Sequence, residues 1–227
     1  MKTHSRTIFI GDIHGCYDEL ELLIHKLKIR SDDKVYLTGD LILKWPKSLK
    51  VLKYARKNNF LFVKGNKEYE LLNAIKSWVY YNKEEEKLWE KLKHKYPELL
   101  NYLKDVPYYR DTNHFCLVHA GIIPEIDISE QSVDTLCYLR TLHWLPWYEH
   151  YTDEKKIIYG HWAIDWLKIR KNTIWLDSGC VYWGKLTAYI LETWEIVQQK
   201  ALKIYKNPHK KWSLAYHLKK LLFKIWK

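Results

Sequence analysis

Short apolar runs rich in β-branched and aromatic residues alternate along this chain with longer stretches whose apolar positions recur every three or four residues. The runs at 7–10, 34–38, 60–64, 114–118 and 157–159 are too short for helices and read as buried strands. Residues 18–28 put Leu20, Leu23, Ile24 and Leu27 on one helical face. Pro46 and Ser48 open a second helix through Lys57, with Leu49, Val51 and Leu52 apolar, and proline suits the first turn. Residues 68–81, 84–95 and 97–105 predict three further helices. The charges of the second of these, spaced four apart, predict a solvated face. Beyond Thr173 the pattern becomes strand-turn-strand, with 186–192 and 195–199 pairing around Thr193-Trp194.

Each of the five strands runs into a short polar fragment. These are Gly11-Asp12-Ile13-His14-Gly15, Gly39-Asp40, Gly65-Asn66-Lys67-Glu68, Val118-His119-Ala120-Gly121 and Gly160-His161. In α/β sheets, ligands gather beyond the carboxyl ends of strands, where several loops converge. Each fragment sets an Asp, Asn or His beside a glycine that permits a tight turn. Asp12, His14, Asp40, Asn66, His119 and His161 can therefore meet in one place, although they are spread over most of the chain. A mixture of imidazole, carboxylate and amide oxygen suits manganese, iron or zinc better than calcium. With one carboxylate bridging, six such groups suffice for two ions, and a two-metal site suits phosphoester hydrolysis. The histidines at 25, 94, 143 and 150 lie in helical or aromatic-rich segments and read as structural.

Composition narrows the setting. At 227 residues the chain can form one sizeable core, and one domain is the simplest count. Cys16, Cys116, Cys137 and Cys180 show neither paired spacing nor a zinc-finger form. The polar N-terminus predicts no signal peptide, and no apolar stretch approaches the ~20 residues of a membrane-spanning helix. The expected compartment is the reducing cytoplasm. The net charge of +11 is uneven: 203–227 holds eight lysines and no acid, leaving +3 for the rest. Residues 212–227 fit a basic amphipathic helix, with Ser213, His217, Lys220, Lys224 and Lys227 opposite Leu214, Leu218, Leu221, Leu222, Ile225 and Trp226. Such a tail can dock on the domain, lie on an anionic membrane or attract RNA.

The same fragments, in the same order, resemble the calcineurin-like metallophosphoesterase superfamily, and within it the bacterial symmetrical diadenosine tetraphosphatases and their phosphoprotein phosphatase cousins. Three longer stretches carry the match: Gly11-Asp-Ile-His-Gly-Cys-Tyr-Asp-Glu-Leu20, His119-Ala-Gly-Ile-Ile-Pro124, and Leu176-Asp-Ser-Gly-Cys180 followed by Trp183-Gly184 and Leu186-Thr187-Ala188. Tyr159-Gly-His-Trp-Ala163 is similar to the tetraphosphatase form of the last histidine motif. The resemblance implies an α/β fold of two packed, mostly mixed β-sheets flanked by helices, a four-layer sandwich. The resemblance covers about residues 7–190, and with the charge pattern of the tail it divides the chain into a phosphoesterase domain at 1–202, with a helical insert at about 68–105, and the tail at 203–227. It further implies that Asp12 and His14 hold one divalent ion, that Asn66, His119 and His161 hold a second, that Asp40 bridges, and that Asp177 stands beside them. Manganese is the first expectation, with iron, zinc, cobalt or nickel as alternatives.

Two departures from the family pattern bear on chemistry. Where relatives continue Gly-Asp with an apolar pair and then Asp-Arg-Gly, this chain has Leu43, Lys44 and Trp45. Where they have Gly-Asn-His, it has Lys67. The phosphatase acid-and-histidine dyad that protonates the leaving group is thus missing. General acid assistance is worth typically about 10²–10⁴-fold and matters most for an alkoxide. A departing nucleoside polyphosphate, with a terminal pKa of about 6, needs no such proton. The expected substrates are therefore dinucleoside polyphosphates, cut symmetrically, or similar RNA caps. A Ser/Thr or general phosphomonoesterase is the second reading, and a metal-retaining binding module the third. Lys67 could act as a substitute acid, its pKa lowered by two nearby dications. Lys44 can hold phosphate as a point charge, and Arg140 is a candidate second phosphate clamp.

Overall fold

The computed structural model describes residues 5–44, 47–77, 83–163 and 167–206, with the side chains of 75–77 excepted. Among these, β1 (Thr7–Ile10) leads into α1 (Tyr17–Leu27), β2 (Lys34–Leu37), α2 (Ser48–Lys57) and β3 (Leu61–Phe62). Three helices follow, α3 (Asn66–Ser77), α4 (Lys83–His94) and α5 (Pro97–Asp105), and then β4 (Tyr109–Asp111) and β5 (Phe115–Val118). The second half holds α6 (Val133–Tyr138), β6 (Thr141–Leu142), β7 (Leu145–Pro146), β8 (Lys156–Tyr159), β9 (Lys168–Ile169), β10 (Thr173–Trp175), β11 (Lys185–Ile190) and β12 (Ile196–Lys200).

Two five-stranded mixed sheets form, in the orders β12-β11-β1-β2-β3 and β4-β5-β8-β10-β9, and β6-β7 is a separate hairpin. The period-two alternation of each strand sorts its side chains between layers. Phe9 of β1 faces Phe115 and Leu117 of β5, Ile158 of β8 and Ile174 of β10 between the sheets, with the Phe9 and Phe115 rings edge to face at 4.8 Å. Ile8 and Ile10 turn the other way, into a cluster built with α1, α2, α4 and α5. Cys116, Val118, Ile157, Tyr159 and Trp175 line the far side of the second sheet, under Leu136 of α6 and the buried ring of Trp147.

Register then assembles the strand ends. β1, β2 and β3 run parallel, with Ile10 beside Leu37 and Leu37 beside Phe62. In the second sheet β5, β8 and β10 are parallel, with Leu117 beside Ile158 and Trp175 beside Tyr159. The residues following each strand therefore emerge on one edge of the sandwich.

The strand expected at 60–64 is only Leu61–Phe62, because Lys64 turns away and its N–H donates to Pro107 O at 2.9 Å. The helix expected at 18–28 stops at Leu27, where Lys28 takes a left-handed conformation with φ 47°. The helix α4 is not wholly solvated: Glu85, Leu88, Trp89 and Leu92 bury one face. All four cysteines are buried and free. Among the described residues no helix is long and apolar enough to cross a membrane. The expectations for Pro46 at the start of α2, for 78–81 and for the helix at 212–227 lie outside the described residues.

Candidate metal centre

Backbone hydrogen bonds tie the first two loops together. The N–H groups of Ile13 and His14 donate to Asp40 O at 3.3 and 2.7 Å, and Gly15 N–H donates to Leu41 O at 2.8 Å. His14, Asp40 and His161 all adopt positive φ, at 47°, 51° and 69°. Such values are uncommon for residues other than glycine and mark a site whose surroundings over-determine the backbone. The space is closed as well as strained. A Cβ on Gly65 would strike Asp40 Oδ1, and one on Gly160 would strike Asp12 Oδ1.

The six predicted side chains converge. Asp40 stands at the centre: its Oδ2 lies 3.3 Å from His14 Nε2 and its Oδ1 lies 3.5 Å from His119 Nε2. Lys67 N–H donates to the same Oδ1 at 2.8 Å. His119 Nε2, His161 Nδ1 and Asn66 Oδ1 form a triangle with sides of 3.1, 3.1 and 3.2 Å. Asp12 is fixed by Thr38 Oγ1 at 2.8 Å and by His161 N–H at 3.0 Å, and its Oδ2 is 4.0 Å from His14 Nε2.

Outer partners set which atoms face inward. His119 Nδ1 lies 2.9 Å from Thr38 O and His14 Nδ1 lies 3.3 Å from Ile42 O, so each Nδ1 donates outward and the Nε2 lone pair is turned into the cluster. Asn66 Nδ2 donates to Glu70 at 2.9 Å, turning its carbonyl oxygen inward. Burial holds all three imidazoles neutral. It pushes His14 well below its ordinary pKa with help from Lys44, lowers His119, and takes His161 to about 2 with His119 and Arg140 adding. Burial, then Asp177 and Asp40, raises Asp12 well above the usual carboxylate range. Burial opposes ionisation of Asp40, but the charge of Lys44 and the Lys67 N–H hold its carboxyl below the usual carboxylate range.

This donor set fits divalent ions. Ligands about 2.1 Å from one octahedral ion lie about 3 Å from each other, which is the spacing of the Asn66–His119–His161 triangle. Asp12, Asp40 and His119 also present ligand atoms within 4.8 Å of one another. Crowded carboxylates and neutral imidazoles in a buried pocket are an arrangement a cation stabilises.

Residues 5–203 match the sequence model of the calcineurin-like phosphoesterases. The chain belongs to that family. It is a metal-dependent hydrolase, and the family uses divalent ions. A symmetrical bis(5'-nucleosyl)-tetraphosphatase of Dechloromonas aromatica (strain RCB) is 27% identical over 262 aligned positions, which span 85% of this chain and 95% of that protein. Its counterpart in Escherichia coli (strain K12 / DH10B) is 38% identical over 128 positions, 54% of this chain and 45% of that one. A crystal structure provisionally described as a diadenosine tetraphosphatase superposes with a TM-score of 0.78 at 25% identity, covering 89% of this chain and 96% of that one. The two-sheet sandwich expected from the sequence is the fold of this phosphoesterase.

The family's acid positions have other uses in this phosphoesterase. Leu43 is buried in the outer core, its N–H held by Ser48 Oγ at 2.9 Å. The Lys67 ammonium pairs with Glu70, not with the cluster. Lys44 Nζ reaches His14 Nε2 at 2.5 Å and stays charged against its burial because Asp40, Tyr182 and Asp177 face it. Arg140 Nε donates to His161 Nε2 at 3.2 Å. Asp177 is buried beside Asp12, and burial raises it to about 6. His150, read as structural, bonds through Nε2 to Leu142 O at 2.9 Å.

One residue of the quoted fragments received no role from the sequence. The Glu68 carboxylate, fully buried, accepts the N–H groups of Asp40, Leu41, Ile42 and Gly65 at 2.8, 2.8, 3.2 and 2.9 Å. Glu70 also escaped notice, although it takes Asn66, Lys67 and the Tyr138 hydroxyl. The fixed place of Glu68 two residues after Asn66 was the available signal.

Proposed function

We propose that this chain hydrolyses dinucleoside polyphosphates such as diadenosine tetraphosphate, cutting them symmetrically to two nucleoside diphosphates. In this reading Asp12, His14 and Asp40 hold one divalent ion, and Asp40, Asn66, His119 and His161 a second, with manganese the first choice. The observation that carries it is Asp40, whose two oxygens each face a different histidine nitrogen across 3.3 and 3.5 Å. When bound, such a pair of ions supplies Lewis-acid polarisation of the phosphoryl group and activation of water. The rest falls to this chain's residues. Arg140 and Lys44 bring positive charge to the edges of the cluster, where a phosphate chain needs counter-charge. Thr38, Glu70 and the Ile42 carbonyl keep the donor atoms aimed.

The leaving group decides between reactions. With Leu43 in the core and Lys67 on Glu70, neither of these two positions offers a carboxyl or imidazole proton to a departing alkoxide. A phosphoanhydride needs none. The names of the relatives agree with that choice. Aligning 262 positions onto 85% of a 227-residue chain requires gaps of several tens of residues, so this chain is shorter than that relative over the aligned span. The test is manganese-dependent turnover of diadenosine tetraphosphate, an aryl phosphate and a phosphoserine peptide, with product analysis. Rates falling in that order, with ADP as the nucleotide product, are expected. Preferred cleavage of the seryl ester, or no turnover of any of the three, overturns the proposal.

A further inference from the structure

The hairpin formed by β6 and β7 carries a residue that its own fold disfavours. Leu142 pairs with Leu145, so the connection is the two-residue turn His143-Trp144. Both turn residues have positive φ, 47° and 71°, as a type I′ turn requires. That turn selects Asn and Gly, and a bulky side chain at positive φ is an outlier. Trp144 is also 99% exposed, so burial returns nothing for the strained backbone or the wetted indole. Its neighbour differs: the His143 ring rests against His150, edge to face at 5.9 Å.

The arm that presents this indole is anchored on the metal centre. Trp147 N–H donates to Arg140 O at 3.1 Å and closes the hairpin's base. The buried Trp147 ring donates to Ala120 O at 3.1 Å, one residue beyond His119, and fills the space beside Gly121. On the other strand Arg140 Nε touches His161 Nε2. Three residues at about 3.4 Å each then set the turn about 10 Å beyond Arg140. The arm is thus a short, fixed spacer between the phosphate-binding charge and an exposed indole.

We propose that Trp144 stacks on a nucleobase of the substrate whose phosphates lie at the metal centre. This rests on the dinucleoside polyphosphate reading above and adds the group that selects a nucleotide over a simple phosphate. The phosphoryl centre offers charge and ligand atoms, whereas a base offers an aromatic face one ribose away from the phosphates. Indole is a sequence-tolerant platform for such a face. A stack of this kind changes affinity by between about fivefold and a hundredfold.

The experiment compares the full-length manganese-loaded chain with Trp144→Phe and Trp144→Gly, using diadenosine tetraphosphate and an aryl phosphate that has no base. Trp144→Gly is expected to raise KM for the dinucleotide about five- to a hundredfold with kcat changed less than about threefold, and to leave the aryl phosphate unaffected. Trp144→Phe is expected to retain most of the affinity. Because glycine suits positive φ, the melting temperature of Trp144→Gly is expected at or above that of the parent, which separates lost stacking from lost folding. A dinucleotide KM unchanged in Trp144→Gly, or a switch from dimer to monomer on size exclusion with KM unchanged, overturns the stack alone. Parent enzyme that turns over the aryl phosphate but not the dinucleotide overturns the substrate reading and the stack with it.

Discussion

Glu68 and Asp40 are joined through the backbone: the Asp40 N–H donates to Glu68 Oε2 at 2.8 Å while the two carboxylates point to different neighbours. The same Glu68 holds Leu41, Ile42 and Gly65, so one buried acid shapes the loops that carry both Asp40 and Asn66. Burial, then the Asp40 charge, raises its pKa to about 7, and the four backbone donors are what keep it useful as an acceptor.

Glu68→Gln puts an amide N–H₂ where backbone donors now find an oxygen. Each buried donor left without an acceptor costs about 1–3 kcal/mol. A loss of about 2–4 kcal/mol is expected, or roughly 5–15 °C in melting temperature at this chain length. Manganese affinity should weaken at least about tenfold, because the loops that aim its ligands relax. Calorimetry with and without manganese checks both.

Lys44 competes for the atom that the first ion needs. Its ammonium lies 2.5 Å from His14 Nε2, the nitrogen turned into the cluster by the Nδ1 bond to the Ile42 carbonyl. Removing that like charge in Lys44→Met should tighten the manganese site that uses His14 at least about tenfold, since neighbouring unit charges interact by several kcal/mol at an effective dielectric near 20. Isothermal titration with manganese reads the effect directly. Equal affinities in parent and variant would show that the lysine leaves His14 freely.

Lys67 provides a backbone N–H to Asp40 and a side chain to Glu70. Truncation to alanine keeps the first and removes the second. With a phosphoanhydride substrate, kcat is expected to stay within about tenfold of the parent. A fall of about 10²–10⁴-fold would instead mark this lysine as the general acid.

Away from the centre, Asp33 ties the chain's first described residues to β2. Arg6 Nη2 reaches its Oδ2 at 2.5 Å, and Arg30 adds its backbone N–H at 2.8 Å and its guanidinium at 3.1 Å. Burial opposes ionisation, but these partners outweigh it and hold the carboxyl well below the usual carboxylate range. A depressed native pKa stabilises the fold above the ordinary carboxylate value and loses that contribution as pH falls through the native one. Asp33→Asn should therefore lower the melting temperature by several degrees at pH 7, and the gap should shrink progressively below about pH 4. Thermal melts across pH 7 to 2 test the sign.

The strands and the six convergent side chains were legible because both are written locally. A buried strand must be a short apolar run, and a residue at its carboxyl end has its position fixed by register alone, as Ile10 beside Leu37 shows. The helix α6 and the hairpin of β6 and β7 were missed because six- and two-residue elements are too short to repeat their hydrophobic periods of about 3.6 and 2 residues. Glu68 was missed for another reason: its partners are backbone N–H groups, which leave no trace in residue type, whereas Glu70 stands three residues after its partner Lys67, a spacing the sequence did display. The direction of Lys44, toward His14, depends on two successive positive φ values at Leu43 and Lys44 that no residue pattern announced.

Gly65 and Gly160 press so closely on Asp40 and Asp12 that neither position admits even a methyl group. The floor of the pocket is therefore closed to evolutionary adjustment, and descendants of this chain can acquire new preferences only by altering the walls. The tip of the 141–146 ribbon is the cheapest wall to alter, since its outermost ring supports nothing beneath it.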